Sequence, residues 1–161
     1  MTHRRTMGLP EPVWVAGLEA LSGIKEVVGG RLNPQIAQMF RHTRFPLDQL
    51  TSKTAWCAAA INWALENSGY RGTRSAAAKS FANYGVEIEP QYGAIAYFGP
   101  GSADAGGTGH VTFVIGVDHD SLYCLGGNQS NTIKRTWYPR SRMLACRYPS
   151  SAEALAQTDA H

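Results

Sequence analysis

One cysteine in this sequence stands where a thiol can act as a nucleophile. Cys57 opens an apolar run in which Trp56, Ala60 and Trp63 recur at the three- and four-residue spacing of a helix face. Thr54 is placed to cap the start of this helix with its hydroxyl. A thiol in the first turn lies at the positive end of the helix dipole, which favours thiolate, the nucleophilic form. We therefore predict a buried helix with a candidate nucleophile in its first turn.

A cysteine nucleophile needs a base, and the sequence offers five histidines. His3 and His161 lie in the terminal segments, His42 closes a predicted surface helix, and His119 lies in a predicted turn. His110 follows a glycine-rich loop and opens the most apolar strand of the chain. Its ring can face a groove or pack at the strand end, and spacing alone leaves both interpretations open.

A third residue must orient the imidazole of such a base. The strand after that of His110 runs into residues 126–129, Gly-Gly-Asn-Gln. If the two strands pair antiparallel, this end returns to His110, and Asn128 or Gln129 could accept a hydrogen bond from the ring and fix its tautomer. These residue types also form turns, and taken alone the segment is better interpreted as a turn.

Helices are predicted in the first half of the chain, ahead of and behind the Cys57 helix. Apolar spacing indicates one at residues 12–21, and an Asn-Pro start signal indicates another at residues 33–43. A serine cap favours a third at residues 76–84. Between the first two, glycines limit residues 24–28 to a short helical turn at most.

After Pro90 the periodicity changes to short β-rich runs separated by turn residues. We predict an α+β fold, with N-terminal helices packed on a C-terminal antiparallel sheet. The predicted strands are residues 94–98, 110–117, 121–125, 133–137 and 144–148.

Composition limits the classes of protein to consider. A chain of 161 residues with 43% hydrophobic and 17% charged residues fits one globular domain, and we divide it into an arm (1–11), a domain (12–149) and a flexible tail (150–161). The net charge of +3, without basic runs that contain aromatics, argues against nucleic acid. No apolar run is long enough for a membrane span or a secretory signal. The three cysteines lack metal-ligand spacing, so we expect reduced thiols, no metal and no cofactor.

A set of short motifs, in this order, resembles the NlpC/P60 and CHAP superfamily of cell-wall cysteine hydrolases, and most closely a branch found in phage lysins and bacterial toxins. The resemblance covers about residues 14–149. Its motifs are WCAA at 56–59, GT at 72–73 with AAAKS at 76–80, GAIA at 93–96, GHV at 109–111 and GGNQ at 126–129.

This resemblance implies a papain-like fold and cleavage of an amide bond in peptidoglycan stem peptides or at their sugar attachment. By position in the motifs it implies Cys57 as the nucleophile, His110 as the base and Asn128 as the third member of the site.

The resemblance also implies a substrate groove around these residues, lined by Trp56, Tyr97 and Gln129. For Trp56 and Tyr97, packing in the core is an equal alternative. Many relatives have an acidic residue before the cysteine and a serine after it. Here Trp56 and Ala58 stand in those places, which leaves the scissile bond open.

We therefore expect a peptidoglycan amidase or endopeptidase that is made in the cytoplasm without a signal peptide. It would act in the periplasm or cell wall, either as a lysin released at lysis or as a delivered antibacterial effector with a cognate immunity protein. A non-catalytic wall-binding domain, and a cysteine transferase or deamidase on the same scaffold, are the alternatives.

Overall fold

The computed structural model describes residues 8–100 and 109–156 of the chain. Its α-helices are α1 (Trp14–Glu19), α2 (Pro34–Met39) and α3 (Cys57–Asn67). None of these helices has the length and apolar character that crossing a membrane requires. Short 3-10 turns connect the larger elements, at Phe40–His42, Leu47–Gln49, Ala78–Asn83, Arg140–Arg142 and Ser151–Glu153.

The strands of the described residues form a small hairpin and one larger sheet. The larger sheet has six strands in the order β3-β8-β4-β5-β6-β7, and every neighbouring pair is antiparallel. This arrangement confirms the predicted α+β class. The strands are β1 (Val27–Val28), β2 (Arg31–Leu32), β3 (Val86–Glu87), β4 (Ile95–Phe98), β5 (His110–Val117), β6 (Ser121–Gln129), β7 (Thr132–Pro139) and β8 (Met143–Tyr148).

The helix predicted at residues 33–43 starts where its cap signal places it. The Asn33 side chain accepts a hydrogen bond from the backbone N–H of Gln35 (2.9 Å), and Pro34 occupies the first helical position. After α2 the chain tightens into the 3-10 turn Phe40–His42. The two-residue Asn-Pro signal thus predicted the start of this helix.

The other two predicted helices are shorter than expected. The helix predicted at residues 12–21 is limited to α1, and residues 76–84 form only the 3-10 turn Ala78–Asn83. The predicted cap lies just ahead of that turn, where the Ser75 hydroxyl accepts a hydrogen bond from the N–H of Ala77 (3.1 Å).

The prediction of a helical turn at residues 24–28 is wrong, because Val27–Val28 pairs with Arg31–Leu32 in a β-hairpin. Gly29 and Gly30 form its two-residue turn, with φ of 60° and 78°. A turn with two positive φ values matches the twist of a hairpin, and glycine adopts it without strain. The two glycines from which we predicted the end of a helical turn instead form the turn of this hairpin.

All five predicted strands are present, and the largest difference lies at the end of β6. This strand continues to Gln129, so residues 126–129, which taken alone are better interpreted as a turn, lie inside a strand. The strand is bulged there. Its register with β7 shifts between Gly126 and Gln129, and Asn128 has a φ of 59°.

Helix α3 occupies the centre of the molecule and packs on β5 and β6. Eight of its eleven residues are buried, and most of these are alanines or other small residues. On the side of the sheet the approach is tightest at Gly127, where a Cβ would lie 2.6 Å from the ring of Trp56 and 2.9 Å from the Cβ of Ala60. A glycine at this position therefore sets the distance between helix and sheet.

A buried amide fixes the loop that follows α3. The Oδ1 of Asn62 accepts hydrogen bonds from the backbone N–H groups of Thr73 (2.8 Å) and Arg74 (3.1 Å). Its Nδ2 donates to the carbonyls of Ala58 (3.1 Å) and Ser75 (2.9 Å). Because a buried amide is costly when its hydrogen bonds are unmade, this set holds the loop to the helix.

Residues 1–7 of the predicted arm, 101–108 of the glycine-rich loop and 157–161 of the predicted tail lie outside the described residues. Within the described part of the tail, the N–H of Leu155 donates to the carbonyl of Gly69 (2.8 Å). The division of the chain into arm, domain and tail stays a prediction.

We expect Gly127→Ala to lower the free energy of unfolding by about 1–3 kcal/mol, because the new methyl group overpacks a buried helix interface. The matched control is Gly17→Ala in α1, where a Cβ meets only the ring of Trp63 at 3.9 Å. The control should leave stability unchanged or raise it by up to about 1 kcal/mol. Urea denaturation measures both, and equal stability of Gly127→Ala and the wild type would contradict the assigned contact.

Candidate active site

The candidate nucleophile is the first residue of α3. Residue Trp56 precedes it in a non-helical conformation (φ −128°, ψ 11°), without a side-chain cap. The predicted cap is wrong, because the Thr54 hydroxyl instead accepts a hydrogen bond from the N–H of Thr51 (3.1 Å) in the preceding turn. The helix therefore begins later than Thr54 suggested, and this places Cys57 at its very start.

Backbone N–H groups of Val111, Ala58 and Cys57 lie near the sulphur of Cys57 and act to lower the pKa of its thiol. Two of them belong to the first turn of α3, where N–H groups have no partner inside the helix. The third belongs to β5. Each of these groups favours thiolate, and for the two in α3 this is the effect that the helix position predicts.

Burial has the larger effect, and it raises the pKa of the Cys57 thiol. The side chain is only 2% exposed, so a thiolate here would be poorly solvated. The N–H groups at the helix start do favour thiolate, as predicted, but burial outweighs them and the net shift of the pKa is upward. The thiol keeps its proton until a base removes it.

The contact with Val111 also brings the sulphur to the first residues of β5. His110 is the first residue of that strand, and it is fully buried. The structure thus brings Cys57 and His110, predicted as nucleophile and base, to the same junction between the start of α3 and the start of β5.

The His110 ring is held by the side chain of Gln129, with 3.0 Å between Nε2 and Oε1. The orientation of this amide follows from its other bonds, because its Nε2 donates to the carbonyls of Lys134 (2.7 Å) and Cys124 (3.3 Å). An oxygen only accepts, so Nε2 of His110 carries the proton and Nδ1 is the basic nitrogen.

Asn128, the predicted third member, does not make this contact with the ring. It occupies the bulge of β6 in a left-handed conformation, 4% exposed. A bulge changes the alternation of side chains along a strand, and here it leaves Gln129 as the residue bonded to His110. The pairing argument from the sequence left both amides open, and the motif position favoured Asn128.

Sequence reasoning missed two residues beside the imidazole, Thr112 and Tyr138. The Thr112 hydroxyl lies 3.0 Å from Oε1 of Gln129 and 2.8 Å from the carbonyl of Leu125, and its single proton serves one of them at a time. The Tyr138 hydroxyl lies 3.5 Å from Nε2 of His110, with ring centroids 5.4 Å apart.

A signal for Thr112 was present, because residues two apart on a strand share a face and Thr112 follows His110 by two. Tyr138 gave no such signal. Tyr138 lies on β7, the last strand in the order of the sheet. Its ring nevertheless contacts Phe98 of β4 as well as His110 of β5. Such a contact depends on how the whole sheet curls.

The three predicted groove residues are all buried. Trp56 has no exposed surface, and its Nε1 donates to Oε1 of Glu26 (2.8 Å) in the segment that leads into β1. Tyr97 is 5% exposed, with its ring beside Gly109, and Gln129 is 1% exposed. Trp56 and Tyr97 are thus packed in the core, their part in a substrate groove stays a prediction, and Gln129 contacts the imidazole.

The other two cysteines differ from Cys57 in their hydrogen bonds. All three are free and buried, and burial raises the pKa of Cys146 to about 12 and that of Cys124 further. The thiol of Cys124 donates to the carbonyl of Leu122 (3.6 Å), as a core cysteine does. The sulphur of Cys57 instead lies near backbone N–H groups that lower the pKa of its thiol, as a nucleophile needs.

In the part of the chain that the structure describes, no three His, Cys, Asp or Glu side chains are grouped so that they could hold a metal ion. The site itself offers a thiol, an imidazole and backbone N–H groups.

Comparison with known proteins agrees with this geometry. Residues 49–128, which contain Cys57, His110 and Asn128, match the CHAP domain family. The fold is similar to the crystal structure of an NlpC/P60 family protein from Bacillus cereus ATCC 10987, with a TM-score of 0.50 and 11% sequence identity. This likeness covers 86% of the present chain and 40% of the Bacillus cereus chain, so the protein spans less than half the length of that one.

No curated protein matches the sequence significantly. At 11% identity the Bacillus cereus structure shows the fold alone, and the CHAP match suggests a function like that of a cell-wall hydrolase. Together, the CHAP match and the shared fold confirm that this chain resembles the CHAP and NlpC/P60 superfamily.

Proposed function

We propose that this protein is a peptidoglycan hydrolase that cleaves an amide bond, in the stem peptide or at its sugar attachment, with Cys57 as the nucleophile. One observation carries the proposal. The start of α3 and the start of β5 meet, so that the Cys57 thiol lies beside Val111 and next to His110, whose ring is held by Gln129 with Nδ1 as its basic nitrogen. The CHAP match supports the class of substrate.

In the proposed reaction, Nδ1 of His110 takes the proton of the Cys57 thiol as the sulphur attacks the amide carbonyl carbon. His110 then returns this proton to the leaving amine as the C–N bond breaks, and a thioester remains on Cys57. Water attacks the thioester while His110 again acts as the base. The products are a free amine and a carboxylate, and the thiol is restored.

The negative charge that develops on the carbonyl oxygen needs hydrogen-bond donors. The proposed donor is the backbone N–H of Cys57, because the first N–H of α3 has no partner inside the helix and already lies close to the sulphur. It is fixed by the helix and needs no rearrangement when the charge forms.

The proposed positioning residue is Gln129, and Asn128 is the alternative that the motif position favours. A neutral amide that accepts from Nε2–H holds the tautomer in which Nδ1 is basic. Thr112 and Tyr138 keep this amide and the ring in a buried cluster.

The proposed place of action in the cell follows from the proposed hydrolase function. The protein would act on peptidoglycan in the periplasm or cell wall, as a lysin released at lysis or as a delivered antibacterial effector. In the second setting a cognate immunity protein would protect the producing cell. The two settings can be separated by using the Cys57→Ala variant as bait in an extract of the producing cell. Only the effector setting provides a specific protein inhibitor that the bait would capture.

We expect wild-type protein incubated with purified sacculi to release fragments with new amine and carboxylate ends, identified by mass spectrometry. Cys57→Ala should reduce this release to background, because no other thiol receives the N–H groups of the site. Cys124→Ala is the matched control, since it removes a buried thiol outside the site.

Three other results would each overturn or redirect the proposal. Equal release by Cys57→Ala would exclude the thiol mechanism. Binding to sacculi without new ends would indicate the wall-binding domain, and release of ammonia or incorporation of an added amine would indicate the deamidase or transferase.

The two candidate amides can be separated by a pair of variants. Gln129→Met is nearly isosteric but lacks the acceptor for Nε2–H, and we expect it to lower kcat by about a hundredfold with little change in KM, because the imidazole is no longer oriented. Asn128→Gly keeps the left-handed backbone at φ 59° while removing the side chain, and should retain most activity. The reverse pattern would assign the role to Asn128.

The state of the resting thiol can be read from its alkylation by iodoacetamide, which reacts with thiolate. Because burial raises the pKa of Cys57, the rate should be low near neutral pH and should still rise with pH above about pH 9. Mass spectrometry against Cys57→Ala assigns the modified residue. A rate that is constant between about pH 6 and pH 8 would instead indicate a preformed thiolate–imidazolium pair.

A further inference from the structure

An exposed aromatic pair lies on β6 and β7, on the face of the sheet opposite to the Tyr138 ring that contacts His110. Trp137 is 53% exposed and stacks on Tyr123, with ring centroids 4.7 Å apart and planes at 25°. The two residues face each other directly in the register of β6 and β7. We call this pair the aromatic platform.

The aromatic platform begins where the helical layer ends. Arg135 precedes Trp137 by two residues and so shares its face of the sheet, and its guanidinium pairs with Glu19, the last residue of α1. Because α1 ends at Glu19, it does not extend over the part of the sheet face that lies past this ion pair. Opposite Tyr123 on β5 stands Gly116, which places no side chain over the platform.

The border of the aromatic platform is polar. The side chains of Arg135 and Glu19 are each 39% exposed. Tyr92 is half exposed, and its hydroxyl interacts electrostatically with both charges. An indole face that is held in place by stacking is thus bordered by a guanidinium, a carboxylate and a phenol.

We propose that the aromatic platform binds the sugar rings of a polysaccharide. A pyranose ring has an apolar C–H face that packs on the negative face of an indole, and hydroxyl groups at its edge that can bond with Arg135 and Glu19. A lipid chain or an apolar helix would leave these charges without water or a partner. The net charge of +3 also suits an anionic polymer.

This inference rests on the proposed function for its ligand, the glycan strand of peptidoglycan. Trp137 directly precedes Tyr138, whose ring contacts His110, and consecutive residues of a strand point to opposite faces of the sheet, so the aromatic platform lies on the other face from that contact. A polymer can contact both places at once, whereas a short soluble peptide reaches only the active site. The platform would therefore increase binding to sacculi without taking part in bond cleavage.

The test uses an N-acetylglucosamine tetramer as the probe and the Cys57→Ala chain, which cannot turn over a substrate. The chain has four tryptophans, and their indole N–H signals can be followed separately by NMR. We expect a saturable shift of the Trp137 signal alone. Trp137→Ala should weaken binding of the tetramer and sedimentation with sacculi by about tenfold.

Leu144→Ala is the control for the loss of an exposed apolar side chain, since Leu144 on β8 is 66% exposed, and it should bind as Cys57→Ala does. In the background with Cys57 intact, Trp137→Ala should cleave a soluble muropeptide at the wild-type rate. This result separates the platform from the catalytic residues.

The proposal is overturned if the tetramer leaves the Trp137 signal in place, or if Trp137→Ala sediments with sacculi as fully as the control. It is also overturned if Trp137→Ala instead abolishes a concentration-dependent dimer, which would make the platform a contact between copies of the chain. Fragment release by the wild type is measured apart from these assays. Failure of the proposed hydrolase function and failure of the platform therefore give different results.

Discussion

The close approach of α3 to β6 is the contact on which the rest of the structure depends. It is possible because a glycine at position 127 faces Trp56 and Ala60 without a side chain between them. Since eight of its eleven residues are buried, α3 cannot shift without disturbing the core. The start of α3, and with it the sulphur of Cys57, is thereby fixed against the N–H of Val111 on β5.

The neighbouring imidazole is held by a different kind of interaction, a buried cluster of uncharged polar groups. The amide of Gln129 uses both its donors on backbone carbonyls and its oxygen on His110 and Thr112. An ionised carboxylate in that place would pay a large desolvation penalty. A neutral amide orients the ring at lower cost, and it suits a site in which the nucleophile also rests uncharged.

Much of this fold follows from local signals in the sequence, and the site follows only in part. Asn33 and the alternating apolar residues of β5 act through neighbouring residues, so the cap and the strand were predictable. Asn128 and Tyr138 depend on more distant parts of the chain. The bulge at Asn128 decides which amide meets the ring, and the curl of the sheet brings Tyr138 to it. The pattern of residues therefore predicted Cys57 and His110 as candidates for nucleophile and base, and left open which side chains hold the imidazole.

The hairpin of β1 and β2 has a consequence for engineering. Just before β1, Glu26 accepts the indole N–H of Trp56 and donates its own N–H to Asn131, so the base of the hairpin supports the start of α3. Its tip is different, because a side chain at Gly29 or Gly30 would meet no atom within 4 Å. The tip is thus an insertion point for a fused module, close in sequence to the support of Cys57 but mechanically separate from it.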